Sequence, residues 1–363
     1  MQKILIIKLR HHGDVLLTTA LYRALKLHDV SAQIDTLIYK ETTPLLAGNP
    51  HLNNVYCIDR KLKGFKRLSA ELRLLLKLRR EKYDVVIHLT DQWIGALIAR
   101  TSAAPLRIET FYTKRNQAFW HSSFTHIVRP PKRGQLHAVE LNLLCTQYLG
   151  IDATIDKAQV VLVPNAQLLV QAEENLSAAG VNSPFVLIHP AARWPFKCWE
   201  DERFAAVVAH IRAAGLHVVL TSSPDPAEVM MTAKIEQLAK DLNEALNFPS
   251  CTALVNWGGQ VSLPLLAALL KKCQFYVGVD SAPMHMAAAL DTPQVALFGP
   301  SWINEWRPWS SSAIVVYAGD FGALPHPDSI NTDESTRLLK SIPTQAVLDP
   351  INKLVAKLSA QQN

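Results

Sequence analysis

The chain has 363 residues, 49% of them hydrophobic and 19% charged, and its 37 basic and 31 acidic side chains give a net charge of +6. That length points to two domains, and that balance excludes a disordered or low-complexity chain. The first apolar run, Ile4 to Ile7, is too short for a signal-peptide core, and none reaches the ~18 residues of a membrane span, so a cytoplasmic location is expected.

Short apolar strands alternate with amphipathic helices along the first half. Strands are expected at Lys3–Lys8, Gln33–Tyr39, Val55–Asp59, Asp84–Leu89 and Arg107–Glu109, and helices at Val15–Leu27, Leu68–Arg80 and Ile94–Thr101. This is the β-α-β signature of a doubly wound parallel sheet. A helix over Ala138–Leu149 closes on Gly150 as its C-cap. After Ile151 the alternation restarts. Strands are expected at Phe185–His189, His217–Thr221, Phe275–Val279 and Gln294–Phe298, and helices at Glu202–Ala214, Ala227–Leu242, Leu263–Lys271 and Pro283–Leu290. A last helix covers Thr344–Leu358. The chain therefore reads as two α/β units, 1–165 and 175–340, joined near residues 155–180.

Charge is concentrated. Arg60 to Lys82 carries ten Lys/Arg and two acids, +8 in one segment. Such a patch attracts a polyanion: nucleic acid, an anionic membrane surface or a phosphorylated substrate. It has little aromatic interleaving, only Phe65 and then Tyr83, so base stacking has little support. The five cysteines, Cys57, Cys145, Cys198, Cys251 and Cys273, form no C-x-x-C pair and read as reduced thiols.

Ligands of open parallel sheets bind beyond the C-terminal strand ends, so the turns after strands matter most. The common nucleotide fingerprints are missing: no two of the 14 glycines are spaced G-x-G, and there is no G-K-[ST] and no Asp-x-Asp. The turn in "FYVGVDSAPMHMAAAL", Phe275 to Leu290, runs a strand into Asp280-Ser281 and a small-residue helix with Pro283 in its first turn. A helix starting there aims backbone N–H groups and its positive dipole end outward, a seat for a phosphate, and His285 can add a donor. Equally, Ser281 is a good N-cap for a purely structural helix. In "LIHPAARWPFKCW", Arg193 and Lys197 follow a strand end. In "LTSSPDPAEV", Glu228 could accept from a ribose or stabilise its own helix start. In "IIKLRHHGDVLLTTALYRAL", Asp14 follows Gly13 at the start of the first helix. It is either a first-turn acid or, opposite a diphosphate, a general base.

Three stretches together, "KLRHHGDVLLTTAL", "HPAARWPFKCWEDERF" and "GVDSAPMHMAAALDTPQVALFGPS", resemble the ADP-heptose:lipopolysaccharide heptosyltransferases of glycosyltransferase family 9. The Asp-Ser-Ala-Pro-Met-His form looks most like the heptosyltransferase III branch. The resemblance covers nearly the whole chain in order. It implies a GT-B fold, two Rossmann-like doubly wound parallel-sheet domains facing across a cleft, with the C-terminal helix at 344–360 packed back on the first. It implies an inverting, metal-independent transfer of L-glycero-D-manno-heptose from ADP-heptose to an inner-core heptose of lipopolysaccharide, with no cofactor.

By the same resemblance Asp14 matches the general base and Lys197 the catalytic basic residue near the sugar diphosphate. Gly13, Arg193, Glu228, Asp280, Ser281, Ala282 and His285 are expected to bind the donor. The acceptor is expected in the first domain, against the basic region at Lys61, Lys63 and Arg67, joined by Lys114 and Arg115. Peripheral contact with the anionic inner face of the inner membrane follows, and nucleic acid is not an expected partner. Two departures bear on the donor: Ser281-Ala282 stands where close relatives often have Thr-Gly, and Ala191-Ala192 where some have Thr-Thr. The alternatives are another GT-B transferase using a different nucleotide sugar, or a nucleic-acid-binding α/β protein.

Overall fold

The structure, a computed structural model, describes residues 2–151, 158–182, 184–245, 252–333 and 335–362. Cys251 and part of the expected linker, 152–157, lie outside the described residues. The chain divides into two units, Met1–Val163 and Pro164–Asn363.

The first unit runs β1 (Lys3–Ile7), α1 (His12–Leu17), α2 (Thr19–His28), β2 (Gln33–Tyr39), β3 (Asn54–Ile58), α3 (Gly64–Arg80), β4 (Val85–His88), α4 (Trp93–Thr101), β5 (Leu106–Thr110), α5 (Ala118–His121), β6 (His126–Val128) and α6 (Ala138–Leu143). Its parallel sheet has the order β3-β2-β1-β4-β5-β6. β1 and β4 are buried almost throughout, as strands covered on both faces must be. The single helix expected over Val15–Leu27 is interrupted at Thr18. There the hydroxyl of Thr18 donates to the Asp14 carbonyl at 2.8 Å and that of Thr19 to the Leu16 carbonyl at 2.7 Å. Such back-bonding competes with the helical ladder. Gly150 ends the helical segment in the left-handed region, φ 66°, as a C-cap glycine does.

The second unit runs α7 (Ala166–Ala178), β7 (Phe185–His189), α8 (Asp201–Ala213), β8 (His217–Ser222), α9 (Pro226–Ala245), β9 (Leu254–Gly258), α10 (Leu263–Lys272), β10 (Phe275–Val279), α11 (Ala282–Ala289), β11 (Gln294–Phe298), α12 (Ile303–Trp306), β12 (Ala313–Tyr317) and α13 (Thr344–Gln362). Its parallel sheet has the order β12-β11-β10-β7-β8-β9. Counted from its own first strand, this is the same winding as in the first unit, so each sheet reverses strand order once: between β1 and β4, and between β7 and β10. Three strands that the alternation does not reveal, β6, β9 and β12, all sit at sheet edges. β9 shows one reason: it is only half-buried and carries Asn256 mid-strand, so it lacks the apolar run of a central strand.

The C-terminal helix buries apolar residues within its own unit. Val347 and Ile351 of α13 lie in the core of the second unit, with Phe204 and Val208 of α8 and Leu297 of β11. Among the described residues no helix is long and apolar enough to cross a membrane.

Candidate active site

In a doubly wound sheet the ligand crevice lies where the strand order reverses. The second unit places Lys197 and Asp280 at that point. Lys197 lies in the loop after β7, and Asp280 follows β10 directly. β7 and β10 are hydrogen-bonded neighbours, Val277 opposite Ile188. The Lys197 ammonium meets the Asp280 carboxylate at 2.5 Å, and the Ser301 hydroxyl donates to the same oxygen at 2.6 Å. The pair is sheltered: the Lys197 side chain is 14% exposed and that of Asp280 5%. Lys197 also stands 5.2 Å from the Trp194 ring centroid, and the Arg193 guanidinium 5.7 Å from it. Two cations therefore converge on this loop.

Ser281 takes the N-cap position of α11, but its side chain makes no capping hydrogen bond. The leading N–H groups of α11, at Ala282 and Met284, therefore have no side-chain cap from Ser281, and Pro283 has no N–H to satisfy. That leaves a positive dipole end beside Lys197. His285 is buried in the first turn. Glu228, half-buried at the start of α9, accepts from the Ser223 N–H at 3.0 Å, while Asp225 caps Ala227 at 2.9 Å. One oxygen of Glu228 thus fastens its own loop. At the end of β7, His189 pairs with the Thr221 hydroxyl at 3.1 Å, and burial pushes its imidazole down to about 4.

The first unit builds its site after β1. Asp14 sits in the first turn of α1, while His11 holds the N-cap position without a side-chain capping bond. The Lys8 ammonium lies 3.9 Å from the Asp14 carboxylate and donates to the Asn142 side-chain oxygen at 3.0 Å. Asn142 in turn donates to the Thr18 hydroxyl at 3.4 Å. Thr18 bonds the Asp14 carbonyl, so the ring Lys8–Asn142–Thr18–Asp14 fixes the acid from both ends. Gly13 is the second residue of α1. His12 is engaged by the Glu41 carbonyl at 3.1 Å. Across the strand reversal, Arg10 pairs with Asp91 at 3.3 Å and lies 5.5 Å from the Tyr112 ring.

The expected acceptor residues fall into two groups. Lys61, Lys63 and Arg67 are exposed, in the loop after β3 and the first turns of α3. Arg67 is tied to Glu71 at 2.7 Å. Lys114 and Arg115 follow β5. Lys114 is exposed, whereas Arg115 donates to the Asp91 carbonyl at 2.8 Å and lies 5.5 Å from the rings of both Trp93 and Trp120. β3 and β5 are four steps apart in the sheet order, roughly 19 Å by strand spacing, so the two groups flank Asp14 rather than form one cluster.

Sequence reasoning missed Lys8, Asn142 and Ser301. Asn142 is over a hundred residues from Lys8, and Ser301 lies far along the chain from Lys197. Asn142 carries no local motif, and Ser301, though it closes the stretch ending in FGPS, has no feature there that singles it out. Only the strand order brings them in.

The family model of glycosyltransferase family 9 (heptosyltransferase) matches residues 71–334. The lipopolysaccharide heptosyltransferase 3 of Escherichia coli is 38% identical over 348 residues, covering 96% of this chain and 97% of that protein. The crystal structure of a family 9 glycosyltransferase from Veillonella parvula superposes with a TM-score of 0.83 at 21% identity, covering 98% of each chain. The E. coli ADP-heptose lipopolysaccharide heptosyltransferase II follows at 0.75 and 22%, covering 99% of this chain and 100% of that one. The fold is therefore that of these two-domain enzymes. With a family model matched over most of its length and a relative alike from end to end, the chain belongs to glycosyltransferase family 9, the heptosyltransferases.

Proposed function

We propose that this chain transfers L-glycero-D-manno-heptose from ADP-heptose to an inner-core heptose of lipopolysaccharide, as a heptosyltransferase III-like enzyme. The observation that carries the reading is the sheltered Lys197–Asp280–Ser301 cluster at the start of α11, sited at the strand reversal of the second unit. It sits in a chain 38% identical to a heptosyltransferase 3 over nearly its full length.

The acceptor hydroxyl attacks the anomeric carbon of the donor with inversion, and the bond to the ADP oxygen breaks. Asp14 takes the hydroxyl proton. Lys8, donating to Asn142 and lying 3.9 Å from Asp14, holds the carboxylate in place for that step. Negative charge grows on the departing diphosphate, and Lys197 with the leading N–H groups of α11 stabilises it. Ser281, Ala282, Arg193 and His285 complete that seat, and Glu228 reaches the ribose with its second oxygen. Asp280 is a positioning residue: a carboxylate would repel a diphosphate, but bonded to Lys197 and Ser301 it aims the ammonium. Lys61, Lys63, Arg67, Lys114 and Arg115 bind the phosphate-bearing acceptor. Because that acceptor is embedded in lipid, the enzyme works at the inner face of the inner membrane.

ADP release tests this. Mixing with ADP-heptose and lipopolysaccharides truncated at successive core sugars should release ADP only once the acceptor inner-core heptose is present. Release with no truncated form, or with a different nucleotide sugar in preference, overturns it.

A further inference from the structure

α3 has two apolar faces. One is anchored: Leu78 is buried in the core of the first unit and Leu74 packs against it. The other looks into solvent. Phe65, Leu68, Leu72 and Leu76 are all exposed, from 44% at Leu76 to 83% at Phe65. At 3.6 residues per turn these four fall within an arc of about 80°, roughly opposite Leu74 and Leu78. They form one outward stripe over three turns. Lys66, Arg73, Lys77 and Arg80, all exposed, border one long side of it, and Arg79 stands at its C-terminal end. Monomers in water expose single apolar side chains, not an aligned stripe edged with cations. α3 packs beside α4, where Trp93 and Leu97 are also exposed, and Trp93 lies 6.0 Å from the exposed Phe119 ring.

We infer that α3 lies in the plane of an anionic bilayer, with Phe65, Leu68, Leu72 and Leu76 among the acyl chains and the cationic border on the lipid phosphates. The inference rests on the proposed lipid-borne acceptor and adds the element and the mode of contact. Charge decides the occupant. The Arg60–Lys82 segment carries +8, so a second copy docked here would oppose two such segments. A nucleic acid would satisfy the cations and leave the leucines in water. An anionic membrane surface satisfies both, as interfacial amphipathic helices do.

Sedimentation with vesicles, without donor or acceptor, tests the idea. The protein should bind vesicles containing phosphatidylglycerol and not those of phosphatidylcholine alone. The double variant Leu68→Ser/Leu72→Ser should lose about tenfold or more of that binding, because burial of apolar area drives insertion. It should still transfer heptose to a deacylated, water-soluble acceptor at the parent rate. Lys66→Gln/Arg73→Gln/Arg80→Gln should weaken binding and reduce its dependence on salt. Unchanged vesicle binding in the leucine variant overturns the inference. So does a parent protein that is a dimer and becomes monomeric on that substitution. Vesicle binding as described, with no ADP release in the assay above, contradicts the proposed function and leaves this inference standing.

Discussion

At the scale of single residues, Asp14 is held at both ends, by Lys8 beside its carboxylate and by Thr18 at its carbonyl. A positioned base contributes roughly 10²–10⁴-fold to a rate. Asp14→Asn keeps the shape and removes the carboxylate proposed as the base, so it should lower the transfer rate by about that factor while ADP binding, followed by calorimetry, stays the same. A rate within a few-fold of the parent's would remove the base from the mechanism. The Lys197–Asp280 pair behaves differently, because it is sheltered. Lys197→Ala leaves Asp280 buried without its cation, which costs on the order of 3 kcal/mol. It should therefore lower the melting temperature as well as the rate. Adding Asp280→Ala should restore much of the stability and none of the activity. Recovery of both together would make the pair structural only.

At the scale of elements, two strand ends carry buried histidines. His88 ends β4 with its ring 4.9 Å from that of Phe124, and His189 ends β7. Burial lowers the first to about 3 and the second to about 4. In the unfolded chain both titrate near about 6.5. Between those values the unfolded state binds more protons than the folded one, so stability is full above roughly pH 6.5 and falls as the pH drops. By about pH 5 the loss is about 2 kcal/mol for each histidine. Melting temperature measured from about pH 7 to pH 5 should fall steadily, and a flat profile would contradict neutral burial. β10 adds a steric test. A Cβ on Gly278 would collide with the Tyr276 ring and stand 2.8 Å from the His189 carbonyl. Gly278→Ala should cost on the order of 1–3 kcal/mol by overpacking. Denaturant unfolding checks this, and an unchanged midpoint would show that the strand end can shift.

At the scale of the whole molecule, one winding is used twice, and each use ends in a charged pair beside the strand reversal. Much of this is legible in the amino-acid order alone. Central strands such as Phe185–His189 announce themselves because burial on both faces demands a continuous apolar run. Of the strands not read, the edge strand β9 is half-covered and has no such run, whereas β12 carries the apolar run AIVVY and goes unread despite it. Asp14, Lys197 and Asp280 stand out as candidates because each follows a strand, but placement alone leaves Asp14 open between helix cap and base, and only the family resemblance suggests the roles. Lys8, Asn142 and Ser301 do not stand out, because their roles exist only once the sheet is wound. Helix α13 is legible as a helix, but its docking on α8 and β11 is a matter of packing that periodicity alone does not encode.

Whether this protein makes a heptosyl bond is tested most directly by mass spectrometry with anomeric analysis of an inner-core lipopolysaccharide, before and after incubation with ADP-heptose. The predicted result is the gain of one heptosyl residue, with the anomeric configuration inverted from that of the donor, and no gain with Asp14→Asn. An unchanged acceptor, or a heptosyl residue of retained configuration, would contradict it.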